Sequence, residues 1–193
     1  MTRSILDAEY WSNRYLENKT GWDIGSSSTP LTEYISQLKD KSISILIPGC
    51  GNAYEADVLL KEGFKNISVL DISPVLTAEL KKKFKNQPIK IINTDFFDHT
   101  GEYDLILEQT FFCALNPMQR KDYVEKMVTL LKPVGKLVGV LFNRQFEGGP
   151  PFGGSKEEYE LLFSKKLNIK KMELCYNSIE ARKDSELFFI VQK

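Results

Sequence analysis

The sequence predicts an α/β fold in which a seven-stranded, mostly parallel sheet is sandwiched by helices. Short apolar runs of strand length alternate with helical patterns along most of the chain, as in parallel sheets whose crossovers are helices. The first run, at 43–47, leads into a glycine-rich bend and a helical pattern. The last two strand patterns, 167–176 and 186–192, are separated by a polar turn, which predicts an antiparallel C-terminal hairpin.

The glycine-rich bend carries the functional interpretation. Residues 43–47 form a β-branched, apolar run typical of a buried strand, and Pro48 ends it. In Gly49-Cys50-Gly51, two residues without Cβ let the backbone turn sharply and approach a ligand closely. We expect Asn52 to cap the helix that follows.

A second strand completes the unit. The helical pattern over 53–61 ends at Gly63, and the apolar run 67–70 leads into Asp71. A strand, glycine bend, helix and second strand that ends in a carboxylate form the first half of a Rossmann-like nucleotide-binding unit, in which the acid accepts hydrogen bonds from ribose hydroxyls.

The bend departs from a dinucleotide fingerprint at one position. Tyr54 stands where such fingerprints have a third glycine, so a pyrophosphate is disfavoured and an adenosyl ligand without phosphate has room. Because two glycines alone are weak evidence of a site, a merely structural tight turn is the alternative.

Several ordered segments resemble a known family. Residues 47–51 are similar to the first motif of class I S-adenosylmethionine-dependent methyltransferases, and Asp71 stands where their ribose-binding acid stands. Further segments are similar to the thiopurine S-methyltransferase family, including its halide and thiol methyltransferase branch, from about residue 10 to 165. They are Trp11, Gly21-Trp22-Asp23, Asp95-Phe96-Phe97, Glu108 to Cys113, and Gly149-Pro150-Pro151-Phe152.

The resemblance implies S-adenosyl-L-methionine as cofactor, S-adenosyl-L-homocysteine as product, and a set of residues around them. Asp71 would hold the ribose, Asp95 and Phe96 would flank adenine, and Glu108 would face the methionyl amino group. The implied cofactor-binding residues are Trp11, Tyr15, Trp22, Gly49, Cys50, Gly51, Asp71, Ile72, Asp95, Phe96, Phe97 and Glu108. For Asp95, an Asx turn at a strand exit is the alternative.

The N-terminal segment, residues 1–40, is expected to cover the cofactor as a helical lid on a Rossmann-like core, residues 41–193, within a single domain. Residues 5–18 fit an amphipathic helix, and residues 31–38 fit a shorter one capped by Thr29. The aromatic side chains of the lid either attract a sulfonium cation or simply cover one end of the sheet. The family resemblance favours the first interpretation.

The acceptor side is expected beyond the fourth strand pattern, 103–107. Phe111 and Phe112 suit an apolar acceptor pocket, although paired aromatics are also common in a core. After a helical pattern at 118–131, a turn at 132–135 and a strand at 136–142 lead into the loop 143–154, which carries Arg144 and Phe152.

This loop is expected to be a mobile substrate cover. It nearly imitates a phosphate loop, but Pro150 and Pro151 lack the N–H groups that a phosphate needs. Arg144 either holds an anionic acceptor or pairs with Glu147. The predicted substrate-binding residues are Phe111, Phe112, Arg144 and Phe152.

Composition limits the other function classes. With 26 basic and 26 acidic residues the chain is formally neutral, so we expect no nucleic-acid partner. No apolar run suits a signal peptide or a membrane span, which predicts a cytoplasmic protein with no membrane partner. One histidine and three scattered cysteines leave little material for a metal site, and a monomer is favoured.

We therefore expect a methyltransferase that carries a methyl group from S-adenosyl-L-methionine to a small soft nucleophile: a thiol, a thiopurine or a halide. Such acceptors need no strong base, which fits a chain with one histidine. Two alternatives are an adenosyl-ligand binding protein without turnover and a nicotinamide-dependent oxidoreductase, which Tyr54 disfavours.

Overall fold

A computed structural model describes residues 6–193. Its helices are α1 (Ala8–Leu16), α2 (Thr29–Ser36), α3 (Tyr54–Lys61), α4 (Pro74–Lys83), α5 (Arg120–Leu130) and α6 (Lys156–Phe163). Its strands are β1 (Ile45–Pro48), β2 (Ile67–Asp71), β3 (Ile89–Asn93), β4 (Tyr103–Gln109), β5 (Leu131–Phe142), β6 (Asn168–Leu174) and β7 (Glu186–Gln192). Within the described residues, none of these helices has the length and apolar character needed to cross a membrane.

The strands form one sheet in the order β3-β2-β1-β4-β5-β7-β6. The pairs from β3 to β5 are parallel, whereas β7 is antiparallel to both β5 and β6. The predicted seven-stranded sheet with an antiparallel C-terminal hairpin is thus confirmed. β2 and β3 lie on one side of β1, and β4 lies on its other side, so the strand order reverses at β1. Open α/β sheets bind ligands at the carboxyl ends of the strands where the order reverses in this way.

Two hydrophobic cores cover the two faces of the sheet. On one face, α5 and α6 pack their aromatic side chains against β4, β5 and β7, with Tyr123, Phe163 and Phe189 fully buried. On the other, α3 and α4 pack against β2, α2 packs against β5, and Leu31, Ile35 and Leu59 are fully buried.

Several element ends differ from the predicted ones. The helix predicted over residues 5–18 begins at Ala8, where Asp7 accepts a hydrogen bond from the Tyr10 N–H at 2.9 Å; residue 5 lies outside the described residues. Ser28, and not Thr29, precedes α2. A 3₁₀ turn, Pro117–Gln119, precedes α5, which therefore starts two residues later than predicted.

Strand β5 is longer than predicted. The residues expected to turn at 132–135 continue the strand as an irregular segment, in which Val134 has a φ of 59°. Leu131 pairs with Tyr103, and the register then shifts before Leu105 pairs with Lys136. Proline and glycine suggested a turn here; residues 132–135 have no partner in β4, and the pairs of Leu131 and Lys136 on either side keep the segment within the strand.

Candidate active site

A large cavity opens at the carboxyl ends of β1, β2 and β4, beneath the N-terminal segment. It encloses about 1010 Å³, at the upper end of the range common for small-molecule sites. Most of the predicted site residues line it. These are Trp11, Tyr15, Trp22, Gly49, Cys50, Gly51, Asp71, Ile72, Asp95, Phe96, Phe97, Phe111 and Arg144.

The glycine bend forms the floor of the cavity. Gly49 has a φ of 55° and Gly51 a φ of 51°, a conformation that L side chains rarely adopt. Nothing but the Tyr15 hydroxyl, at 3.8 Å, lies near the position of a Cβ on Gly51, so the backbone there faces open space. Asn52 does not cap α3 as predicted; the cap position belongs to Ala53, which also has a positive φ of 54°.

Asp71 lies at the wall beside this bend. Its Oδ1 accepts the Ser73 N–H at 2.9 Å, and its Oδ2 accepts the Gly51 N–H at 3.4 Å. Burial raises the pKa of Asp71 to about 6, although these N–H groups partly offset the effect. Each oxygen keeps further acceptor capacity, which suits hydroxyl donors from a ligand.

The lid places an aromatic cluster over the cavity. The ring centroid of Trp22 lies 5.4 Å from that of Trp11 and 5.8 Å from that of Tyr15, both with edge-to-face geometry. The Ser12 and Ser73 hydroxyls, 3.0 Å apart, join α1 to the start of α4. Burial, and next the Asp71 carboxylate, raise the pKa of Tyr15, so its phenol stays neutral. Trp11, Tyr15 and Trp22 all line the cavity.

Polar contacts that sequence reasoning missed fasten the lid. The Asp23 carboxylate accepts hydrogen bonds from the Asn52 amide and from the Tyr54 hydroxyl, the latter at 3.2 Å. On the opposite side, Arg182 donates to the Trp22 carbonyl at 3.0 Å. The resemblance of the Gly21-Trp22-Asp23 segment to the family could have pointed to Asp23. Nothing in the sequence around Arg182 indicated that it would contact residue 22.

The exit of β3 forms an Asx turn. Asp95 Oδ1 accepts the Phe97 N–H at 2.8 Å, which is the Asx turn that the sequence offered as an alternative to an adenine contact. Asp95 nevertheless lines the cavity, so the turn presents its side chain there. The turn and the predicted contact with an adenine are therefore compatible.

Three predicted site residues do not line the cavity. Glu108 is fully buried within β4, where its Oε1 accepts the N–H groups of Phe111 at 2.7 Å and Phe112 at 2.9 Å. Phe112 lies in the core, with its ring 5.0 Å from that of Tyr123. Phe152 contacts the backbone of Gly149, where a Cβ would lie 2.4 Å from its ring. Glu108 was expected at the end of a strand, and β4 continues past it.

The loop 143–154 is hydrogen-bonded at its two ends, and the mobility expected of it stays a prediction. Phe152 donates its N–H to the Cys113 carbonyl at 2.7 Å, and Gly154 donates to the Arg144 carbonyl at 3.0 Å. The buried Arg120 donates to the Gly153 carbonyl at 2.7 Å. Only part of this loop lines the cavity, through Arg144, Phe146, Pro150 and Pro151.

Arg144 is free of ion pairs within the described part of the chain. Its guanidinium lies 4.8 Å from the centroid of Phe146, and the alternative pairing with Glu147 is not found. Arg182, which also lines the cavity, is held at 3.3 Å from Glu186. The cavity beyond Phe111 thus combines aromatic walls with two guanidinium groups.

The sequence profile described as thiopurine S-methyltransferase (TPMT) matches residues 6–187. This chain belongs to the thiopurine S-methyltransferase family. A probable thiol methyltransferase 2 of Arabidopsis thaliana is 31% identical over 157 residues, which are 78% of this chain and 69% of that protein. A thiopurine S-methyltransferase of Photobacterium profundum is 25% identical over 177 residues, 82% and 83% of the two chains.

Solved methyltransferases share the fold of this family member. The Burkholderia thailandensis 1,6-didemethyltoxoflavin-N1-methyltransferase, with bound 1,6-didemethyltoxoflavin and S-adenosylhomocysteine, superposes with a TM-score of 0.76 at 14% identity. The match covers 96% of this chain and 86% of that one. The predicted family, Rossmann-like fold and methyltransferase class are therefore confirmed.

Proposed function

We propose that this chain transfers a methyl group from S-adenosyl-L-methionine to a small soft nucleophile, with thiols as the first choice and thiopurines or halides as further acceptors. The observation that carries the proposal is the continuity of the cavity. It joins the glycine bend and Asp71 at one end to the aromatic and guanidinium groups beyond Phe111 at the other. A donor and an acceptor can therefore meet inside it.

The residues present fit the adenosyl cofactor. The open backbone at Gly51 admits a ligand, and Asp71 has the acceptor capacity that ribose hydroxyls need. Asp95 and Phe96, which line the cavity, would flank adenine, and Trp11, Tyr15 and Trp22 would cover the cofactor. Their electron-rich ring faces favour a sulfonium cation.

The acceptor end suits a nucleophile that arrives already ionised. The Arg144 guanidinium, which forms no ion pair among residues 6–193, favours an anionic acceptor, and the aromatic walls favour a polarisable one. His99 does not line the cavity and lies 2.9 Å from the Tyr103 hydroxyl. Burial raises the pKa values of Cys50 and Cys113, so both thiols stay protonated and neither provides a thiolate.

When bound, S-adenosyl-L-methionine supplies an electrophilic methyl group on a positive sulfonium. The chain would hold donor and acceptor next to each other and keep water out under the lid. The acceptor would form a bond to the methyl carbon while the bond from that carbon to sulfur breaks, and S-adenosylhomocysteine would leave. Because this reaction neutralises an anion and a cation, a water-poor cavity would favour it without a base. The glycine bend, Asp71 and the lid hold the donor, while Phe111 and Arg144 form the acceptor wall.

A cytosolic location and a monomeric state belong to the same proposal. The three cysteines are unpaired and buried, which suits a reducing compartment. The formal net charge of zero gives no reason to add a nucleic-acid partner.

The test is a methyl-transfer assay with S-adenosyl-L-methionine and four acceptors: hydrosulfide, thiocyanate, iodide and thiophenol. We expect S-adenosylhomocysteine to form together with at least one methylated thiol. If calorimetry shows that S-adenosylhomocysteine binds while no acceptor is methylated, the chain is an adenosyl-ligand binding protein. If NADH binds and S-adenosylhomocysteine does not, it is a nicotinamide-dependent enzyme.

A further inference from the structure

Glu108 is a buried carboxyl group to which the proposed reaction gives no role. Its Oε1 accepts two consecutive backbone N–H groups, from Phe111 and Phe112. Its Oε2 is buried and has no hydrogen-bond partner among residues 6–193. No basic side chain in that range forms an ion pair with it either, so its contacts are those of a capping group and not of a salt bridge.

The turn that Glu108 caps is strained. Thr110, between Glu108 and Phe111, has a φ of 59°, which is unfavourable for a β-branched residue. Such a conformation persists only where surrounding contacts over-determine it. The two hydrogen bonds to Oε1 are among those contacts, together with one of 2.7 Å from the Thr110 hydroxyl to the Gln109 carbonyl and one of 3.1 Å from the Cys113 thiol to the Thr110 carbonyl.

The turn controls where Phe111 lies. Its ring packs on the backbone of Gly49, since a Cβ added there would lie 2.2 Å from Phe111 Cδ2. The same ring lies 5.1 Å from that of Phe96. Phe111 therefore joins the acceptor wall to the glycine bend, and its position depends on the turn.

The turn also supports the loop 143–154. The Cys113 carbonyl, in the 3₁₀ turn Phe112–Ala114, accepts the Phe152 N–H. A shift at Thr110 would displace the acceptor wall and the loop that partly lines it. Glu108 thus affects the acceptor side through the backbone of the turn that it caps, and its own side chain does not line the cavity.

We infer that Glu108 is a positioning residue for methyl transfer, because its carboxyl oxygen holds the Phe111–Phe112 turn and thereby the acceptor wall against Gly49. This inference rests on the proposed function. It differs from the expected contact with the methionyl amino group, since Glu108 does not reach the cavity.

The chemistry of the cap predicts which substitution is tolerated. Burial raises the pKa of Glu108 to about 7, so the carboxyl group is partly neutral near physiological pH. One carbonyl oxygen suffices for both N–H groups, and the amide of glutamine provides one. Leucine has a similar volume and no acceptor, so it leaves both N–H groups unpaired.

The experiment compares Glu108→Gln and Glu108→Leu with the wild type. Measurements are kcat and KM for thiophenol at saturating S-adenosyl-L-methionine, and Kd for S-adenosylhomocysteine by calorimetry. We expect kcat/KM for the thiol to stay within about threefold of wild type in Glu108→Gln and to fall about 30- to 100-fold in Glu108→Leu. The Kd for S-adenosylhomocysteine should change by less than about fivefold in both, since the cofactor side keeps its own contacts.

Leu80→Ala is the control for lost stability, because Leu80 is buried in α4 and does not line the cavity. It should lower the Tm without changing kcat/KM. Unchanged kinetics in Glu108→Leu would overturn the inference, as would equal losses in both Glu108 variants or a loss confined to cofactor binding. If the wild type itself methylates no acceptor, the proposed function fails, a result distinct from any of these.

Discussion

The ring of Phe111 lies directly on the backbone of Gly49, so that a Cβ on Gly49 would come within 2.2 Å of Phe111 Cδ2. Two segments far apart in the chain meet at this contact, the bend after β1 and the turn after β4. The bend is predicted to hold the donor and the turn forms part of the acceptor wall. The contact therefore explains why this position needs glycine, beyond its positive φ of 55°.

Gly49→Ala should destabilise the fold and abolish cofactor binding. The added methyl group meets both an unfavourable φ and the Phe111 ring, so we expect a loss of about 2–4 kcal/mol in the free energy of unfolding. The matched control is Gly63→Ala, since Gly63 has a φ of 89° with nothing within 4 Å of the added Cβ. It should cost about 1 kcal/mol and leave binding unchanged. Urea unfolding and calorimetry measure both quantities, and equal costs for the two variants would contradict the steric explanation.

Asp71→Ala should weaken S-adenosylhomocysteine binding. The substitution removes the acceptors proposed for the ribose hydroxyls, and lost charge-assisted hydrogen bonds cost about 1–3 kcal/mol. Calorimetry should show a Kd raised about 5- to 150-fold. An unchanged Kd would remove the ribose assignment.

Cofactor affinity should also depend on pH through Asp71. Its pKa is raised to about 6 by burial, and hydroxyl donors bind the ionised form better. As pH falls below about 6, an increasing fraction of the free protein must lose a proton before it binds. The Kd for S-adenosylhomocysteine should therefore be flat above pH 7 and rise about tenfold per pH unit well below 6. Asp71→Asn should bind more weakly without this dependence, and a wild-type Kd that stays flat down to pH 5 would contradict the account.

Asp23→Ala should loosen the lid. Asp23 joins the lid to the loop after β1 through Asn52 and Tyr54, whereas Glu17, at the end of α1, is exposed and pairs with Lys19. We expect the variant to raise the KM for S-adenosyl-L-methionine about 5- to 30-fold, because two charge-assisted contacts are lost. Glu17→Ala should leave that KM unchanged. Similar effects of the two substitutions would mean that general lid charge, and not the Asp23 contact, controls closure.

Loss of the hydroxyl group should change the stability of the protein differently at two buried tyrosines. The Tyr123 hydroxyl has no hydrogen-bond partner among the described residues, whereas that of Tyr159 donates to the Phe142 carbonyl at 2.8 Å. Tyr123→Phe should therefore leave stability unchanged or raise it, and Tyr159→Phe should lower it by about 1 kcal/mol. Thermal unfolding compares the two, and a destabilised Tyr123→Phe would indicate a partner for the hydroxyl.

Most of the sheet was predictable because the strands other than β6 carry apolar runs of their own. The pattern over 186–192 matches β7, and the run at 67–70 matches β2 to within one residue. The strand predicted at 136–142 is shorter than β5 because proline and glycine at 133 and 135 indicated a turn. The chain does bend out of register there, with Val134 at a φ of 59°, but the pairs with β4 before and after this segment continue the strand.

The site was predictable where function depends on backbone or on a strand end. Gly49, Gly51 and Asp71 line the cavity because the ends of β1 and β2 meet there. Glu108 could not be placed in this way, since the alternation of side chains in β4 turns it toward the core shared by Ile106 and Tyr123. Arg182 was missed because its contact with Trp22 spans 160 residues, and no local pattern reveals it.

A crystal structure of this chain with S-adenosylhomocysteine tests the central claim most directly. The account predicts the ribose hydroxyls within hydrogen-bond distance of Asp71, the methionyl portion over Gly49 and Gly51, and the sulfur facing the cavity beyond Phe111. A cofactor bound elsewhere, or one whose sulfur faces away from Phe111 and Arg144, would contradict it.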